Sequence, residues 1–351
     1  MNRGEIEKTL RDISKIKKET EMEILDSHVH PYDVLGVVGK DTIKKSFEDE
    51  DFLKPGIVER LEYNKIERLG LTLAFIFFPK YVHSVVREKY VGANKERLLR
   101  EMDVSLVDRA TLLPIEPWIS SEAVGENFQH QRFIVLGSLD VNRIKLDEIE
   151  DKIKYLIKRY HIAGLKFHPN LQNFKPQPGD NHPEITKKLR KIYSVVEDNN
   201  LYLVFHGGYS DYSDINNPKY ARSKTNSLLK MFSDYNGKSE LFNNYDIPII
   251  IAHLGHNAIL QPDYRLIKAI TKKFPNVYFD NSGASVEIIK KVLRITGHKK
   301  IVFGSDALYN NMVYNLVFLY KALKDVSKKE DFKENLIDVL GNTYKTKILR
   351  R

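Results

Sequence analysis

Residues 24–31 read Ile24-Leu25-Asp26-Ser27-His28-Val29-His30-Pro31. The run is a short strand leading into a loop. Residues i and i+2 of a strand share a face, so both imidazoles can face one way. Outward from here, apolar strand-like runs alternate with helical patterns. The strand candidates are 24–29, 71–77, 133–138, 163–168, 201–206, 248–253, 276–280 and 300–305. They are nearly continuous apolar runs, as expected of strands buried on both faces. Helical patterns at 57–69, 147–160, 184–198, 222–235, 262–273 and 285–295 lie between them. This alternation predicts an α/β fold, a (β/α)8 TIM barrel. Ile6, Leu10, Ile13 and Ile16 recur at helical spacing, predicting an N-terminal amphipathic helix over 4–21. Residues 79–132 exceed one helical crossover and are expected as a long insertion after strand two, at the active-site face. They hold the stretch Thr111-Leu112-Leu113-Pro114-Ile115 and the sole tryptophan, Trp118. More helix is expected over 311–351. With no Pro/Gly/Ser linker, residues 1–351 are expected to form one barrel.

Composition narrows the chemistry. The chain of 351 residues has 56 Lys+Arg against 47 Asp+Glu, a net charge of +9, and no cysteine. Disulfide scaffolds, thiolate metal sites and thiol catalysis are excluded. No apolar run approaches the 18 or so residues of a spanning helix. The N-terminus has no apolar signal core, so a cytoplasmic location and no membrane association are expected. Positive charge is spread in short patches such as Lys15-Ile16-Lys17-Lys18, which reads as a solvated face rather than a nucleic-acid footprint.

The polar residues at strand ends carry the functional argument. Strand one ends in His28 and His30. Strand four ends Gly164-Leu165-Lys166-Phe167-His168-Pro169, with Lys166 and His168 in phase. Strand five ends in His206, strand six in His253, and strand eight in Phe303-Gly304-Ser305-Asp306. A lone buried histidine is usually a satisfied core residue, and one Asp after a strand is commonly a helix cap. Five strands delivering His, Lys or Asp to one rim is what a metal centre on this scaffold needs. His83, His130, His161, His182, His256 and His298 fall away from strand ends and are expected on the surface or in loops.

These stretches, with Val204-Phe205-His206-Gly207-Gly208 and Ile251-Ala252-His253-Leu254-Gly255, resemble the amidohydrolase superfamily. More narrowly, they resemble the amidohydrolase-related branch that includes aminocarboxymuconate-semialdehyde decarboxylase. The resemblance spans residues 24–306. It implies one divalent metal, with zinc the expected ion, on His28, His30, His206 and Asp306. It implies that His253 activates water or substrate. Other branches bridge two metals with a carboxylated lysine. Lys166 lies at about that place, so a second metal would follow if Lys166 were carboxylated. Lys166 is favoured instead as an unmodified group acting on substrate.

A metal-bound water becomes acidic enough to ionise near neutral pH. Asp306 and His253 can manage its proton, and Lys166 or His168 can stabilise oxyanion charge or grip a substrate carboxylate. The leading expectation is a metal-dependent hydrolase of an amide, ester or lactone in a small, anionic substrate. The alternative is a nonoxidative decarboxylase of a small unsaturated or aromatic acid. A nuclease of the related barrels needs a strand-four Glu, which is absent; a non-enzymatic binding protein is the remaining class. A homo-oligomer is compatible with the N-terminal helix and the insertion as contact surfaces.

Overall fold

The computed structural model describes residues 1–32, 50–55, 70, 73, 74, 77, 78, 95–207, 228–234, 236–255, 262–307 and 309–349. Eight parallel strands follow one another: β1 Leu25–Val29, β2 Arg109–Leu112, β3 Phe133–Val135, β4 Gly164–Phe167, β5 Tyr202–Phe205, β6 Ile249–Ile251, β7 Val277–Asp280 and β8 Ile301–Val302. The ladders run β1-β2-β3 and β4-β5-β6-β7-β8. Two parallel bridges join them: Gly137 with Leu165, and Val29 with Ala307. At the second seam, Ser27 N donates to Phe303 O at 2.9 Å and His30 N to Ala307 O at 2.7 Å. The sheet is therefore a closed TIM-type barrel, and closure leaves no sheet edge unpaired.

Strand periodicity sorts the side chains. Leu203, Phe205, Ile249, Ile251, Val277 and Phe279 belong to the large outer core beneath the helices. Tyr202, Val204, Ile250, Tyr278 and Val302 belong to a separate inner cluster that fills the barrel. Both sets are buried, which explains the unbroken apolar runs. Tyr344 closes the inner cluster, its hydroxyl 2.6 Å from Thr111 Oγ1 and 2.5 Å from Tyr202 Oη. At Gly164 a Cβ would lie 2.3 Å from the Tyr202 carbonyl oxygen, so only glycine lets β4 approach β5 there.

The N-terminal helix, α1 (Arg3–Thr20), has the expected amphipathic form. Asn2 caps it by accepting from Glu5 N at 2.9 Å, and Ile6, Thr9 and Ile13 are buried. The expected helices at 147–160, 184–198, 262–273 and 285–295 appear as Ile149–Tyr160, Pro183–Asp198, Tyr264–Lys273 and Val286–Thr296. Helix follows 311 as Met312–Val326 and Phe332–Ile337. The pattern at 57–69 and most of that at 222–235 lie outside the described residues; Leu228–Met231 is a 3-10 turn.

Strand two is a correction. Residues 70, 73, 74 and 77 are helical, and Phe78 N donates to Ala74 O at 2.7 Å. The strand between β1 and β3 is Arg109–Leu112, within the stretch read as insertion. The extra chain therefore precedes strand two rather than following it. A short apolar run such as Leu71–Phe77 fits helix or strand equally by periodicity. Its burial decides: Leu73, Phe77 and Phe78 are exposed, whereas Ala110, Thr111 and Leu112 are fully buried.

Candidate metal centre

The strand ends converge at the C-terminal mouth of the barrel. Three predicted ligands meet there. His28 Nε2 is 3.1 Å from His30 Nε2, and Asp306 Oδ1 is 3.4 Å from each. Among the described residues these three form a group able to hold a metal ion. The register of β1 against β2 slips between Asp26 and Val29, a bulge of the kind that re-aims side chains. Asp306 has φ 58°, a left-handed backbone at a non-glycine residue. Its Oδ2 accepts from Asn310 Nδ2 at 2.8 Å, leaving Oδ1 to face the two imidazoles.

The donor set fits a divalent cation. His28 Nδ1 is 2.8 Å from Asp280 Oδ2, and both side chains are fully buried. A carboxylate only accepts, so Nδ1 carries the proton and Nε2 presents its lone pair to the group. Donors about 2.1 Å from one ion lie roughly 3.0–3.4 Å from one another. Without a cation, two imidazole nitrogens and a buried carboxylate would face each other with little compensation. The ring nitrogen opposite, His30 Nδ1, is buried without a hydrogen-bond partner among the described residues.

Asp280 is the residue sequence reasoning missed. Burial alone would raise its carboxyl, but His28, His253 and Ser282 together pull it below the ordinary carboxylate range. Its Oδ1 accepts from His253 N at 2.9 Å, Ser282 N at 3.1 Å and the Ser282 hydroxyl. A usable signal existed: Asp280 ends an apolar strand, two residues after the inward Tyr278. Gly304 makes the pairing with His28 possible. A Cβ there would lie 2.9 Å from Asp280 Cβ and 3.0 Å from His28 Cβ.

The other predicted residues take distinct places. His206 stands one imidazole away from the three, its Nδ1 3.1 Å from His253 Nε2. His206 Nε2 is buried and without a hydrogen-bond partner among the described residues. His168 stacks on His206 at 3.9 Å and 10°. It also caps the turn Pro169–Gln172, its Nδ1 accepting from Leu171 N at 3.3 Å. Burial holds the His30, His168 and His206 imidazoles well below the usual histidine range, so they are neutral. His253 has φ 60°, held in place by its bond to Asp280. A second group, His28, His253 and Asp280, is already knitted together by hydrogen bonds through Ser282 and offers no second open cage.

Lys166 is fully buried, and its Nζ has no hydrogen-bond partner among the described residues. Burial lowers it to about 8, against the pull of Asp280 and Asp306. Beside His30, Tyr309 presents its ring edge at 5.3 Å. Tyr309 also packs with Ile115, Leu171 and Trp118 in a small apolar cluster. Residues 209–222, which follow strand five, lie outside the described residues, as do His83 and His256. His130, His161 and His182 are exposed, as expected, and His298 is half-buried. No helix among the described residues is long and apolar enough to cross a membrane.

Comparisons with known proteins agree with this fold. The family model described as amidohydrolase matches residues 87–328. No curated protein sequence matches the chain. The structure of 5-carboxyvanillate decarboxylase from Novosphingobium aromaticivorans, complexed with manganese and 4-hydroxy-3-methoxy-5-nitrobenzoic acid, is similar at TM-score 0.57 and 13% identity, covering 94% of this chain and 96% of that one. The 5-carboxyvanillate decarboxylase of Sphingomonas paucimobilis is similar at TM-score 0.53 and 15% identity, covering 94% and 99%. A probable 2-pyrone-4,6-dicarboxylic acid hydrolase from Acinetobacter baumannii is similar at TM-score 0.50 and 14% identity, covering 93% and 99%. The zinc expectation is corrected here: the metal in the Novosphingobium structure is manganese. The physical reason is that imidazole and carboxylate donors without thiolate accept several divalent ions and do not single out zinc.

Proposed function

The chain belongs to the amidohydrolase family, and on that premise we propose that it is a metal-dependent decarboxylase of a small unsaturated or aromatic carboxylic acid. Lys166 carries this reading. A buried ammonium without a hydrogen-bond partner is costly unless a ligand supplies the anion. The neighbouring carboxylates are committed elsewhere: Asp280 to His28 and Ser282, Asp306 to the donor set. A substrate carboxylate would supply that charge, and the apolar cluster of Tyr309, Trp118, Leu171 and Ile115, which reaches the donor set through Tyr309 beside His30, suits a planar carbon body.

His28, His30 and Asp306 would hold a divalent ion, with His206 the further ligand that the family resemblance suggests. Bound there, the ion supplies Lewis-acid charge that orients substrate oxygens and stabilises negative charge. Lys166, itself fully buried, fixes the carboxylate, and that burial lowers the cost of forming neutral CO2 from a charged group. The carbon–carboxyl bond breaks with its electron pair left on carbon, and that carbon takes a proton. The proton comes from solvent, and His253, part-buried at the mouth, is the group positioned to relay it.

The test is to load the purified chain with manganese and present small aromatic and unsaturated carboxylic acids. The expected result is stoichiometric CO2 release without oxygen consumption, abolished by chelation. Turnover of amides, esters or lactones alone, with no CO2 from any acid, would replace this reading with hydrolysis.

A further inference from the structure

We propose that Ser282 is a positioning residue whose hydroxyl, oriented by Asp280, fixes the tautomers of His253 and His206 so that each ring carries its proton on Nδ1. The proposal rests on reading the barrel mouth as the catalytic site. It follows from a directed chain of hydrogen bonds that starts at an acceptor.

Asp280 is a fully buried carboxylate, and Ser282 is fully buried beside it. The Ser282 hydroxyl has its carboxylate neighbour at Asp280 Oδ1, which only accepts, so the hydroxyl hydrogen points to Asp280. The Ser282 oxygen is then free to accept, and His253 Nδ1 lies 2.9 Å from it. His253 Nδ1 is also 3.3 Å from the Ser282 carbonyl oxygen, which can only accept. Both neighbours therefore require the proton of His253 on Nδ1. Its Nε2 is left as a lone pair, and the nitrogen facing it at 3.1 Å is His206 Nδ1. That nitrogen must donate, so the His206 proton sits on Nδ1. His206 Nε2 is left bare, and it is the buried ring nitrogen with no hydrogen-bond partner among the described residues.

One carboxylate thus sets three imidazoles. Oδ2 fixes His28 directly, and Oδ1 fixes His253 and His206 through Ser282. In the catalytic reading, His253 Nε2 is then the unprotonated nitrogen, and it accepts from His206 Nδ1. The same chain leaves His206 Nε2 able to coordinate.

The test reads tautomers directly, without substrate or metal. The chelator-treated full chain, labelled with 15N in its histidine rings, is examined by long-range 1H–15N NMR. His253→Gln and His206→Gln identify the two rings. The expected wild-type spectrum shows both rings as single Nδ1–H tautomers. Ser282→Ala should convert His253 to a mixture or to Nε2–H, with His206 changing alongside, while His28 keeps its Nδ1–H form. Ser282→Thr retains the hydroxyl and should restore the wild-type pattern, which separates orientation from bulk packing. An Nε2–H tautomer for His253 in the wild type, or an unchanged His253 pattern in a folded Ser282→Ala chain, would overturn the proposal. Failure of CO2 release with the wild-type tautomers as expected would count against the decarboxylase reading alone.

Discussion

Asp306 and His28 meet twice. The Asp306 amide donates to the His28 carbonyl oxygen at 2.7 Å, and Asp306 Oδ1 lies 3.4 Å from His28 Nε2. The seam that closes the barrel between its first and last strands therefore also assembles the donor set. A barrel that failed to close would have no metal centre.

Metal content should follow the geometry of that seam. His28→Ala, His30→Ala and Asp306→Asn should each fall from about one manganese per chain to a small fraction. His206→Ala should keep most of its stoichiometry with a lesser loss of affinity, because its ring stands off the three. Elemental analysis after equilibrium dialysis measures both. Equal, complete loss in His206→Ala would make His206 a full ligand. Full occupancy in His28→Ala and His30→Ala would remove the site.

Asp280→Ala deprives His28 of the acceptor that fixes its ring, and manganese affinity should weaken by roughly 10- to 100-fold. Gly304→Ala should act in the same direction, since the new methyl would press on Asp280 Cβ and His28 Cβ. Titration of the metal-free proteins reads both effects, with circular dichroism verifying the fold. Wild-type affinity in a folded Asp280→Ala chain would show that the His28–Asp280 pairing does not tune the site.

Lys166→Met should raise stability while weakening carboxylate binding, since it removes a buried cation that has no hydrogen-bond partner among the described residues. The sign with pH follows from linkage. In the folded chain Lys166 titrates at about 8, against 10.5 when unfolded. Between those values the unfolded chain holds more protons, so wild-type stability gains as pH rises from about 8 to 10.5. Below that window the full cost, of order a few kcal/mol, is present. Urea unfolding of the metal-free proteins across this range should show the gain in wild type and not in Lys166→Met. A destabilised Lys166→Met chain would indicate that the ammonium has a compensating partner.

Tyr344→Phe removes the hydroxyl that meets Thr111 and Tyr202 inside the barrel. Stability should fall by about 1–3 kcal/mol, with manganese affinity unchanged. Chemical unfolding and metal titration separate the two quantities. A parallel loss of metal would mean that this inner layer and the mouth are coupled.

Much of this molecule was legible along the chain. Local periodicity fixes which residues share a face, so seven of the eight strands and the rim position of His28, His30, Lys166, His168, His206, His253 and Asp306 follow from spacing alone. The second strand did not, because an apolar run of seven residues carries no period that separates helix from strand. What only the tertiary structure decided is which of the rim groups meet. Asp280 is 252 positions from His28, yet its carboxylate sets the direction of that imidazole. Nothing local marks such a pairing. It arises when barrel closure brings β1, β7 and β8 together and the absent side chain at Gly304 lets them touch. Sequence determines the kinds of donor at the mouth. Closure of the barrel determines which lone pairs face a common point, because hydrogen-bond direction depends on neighbours in space rather than in the chain.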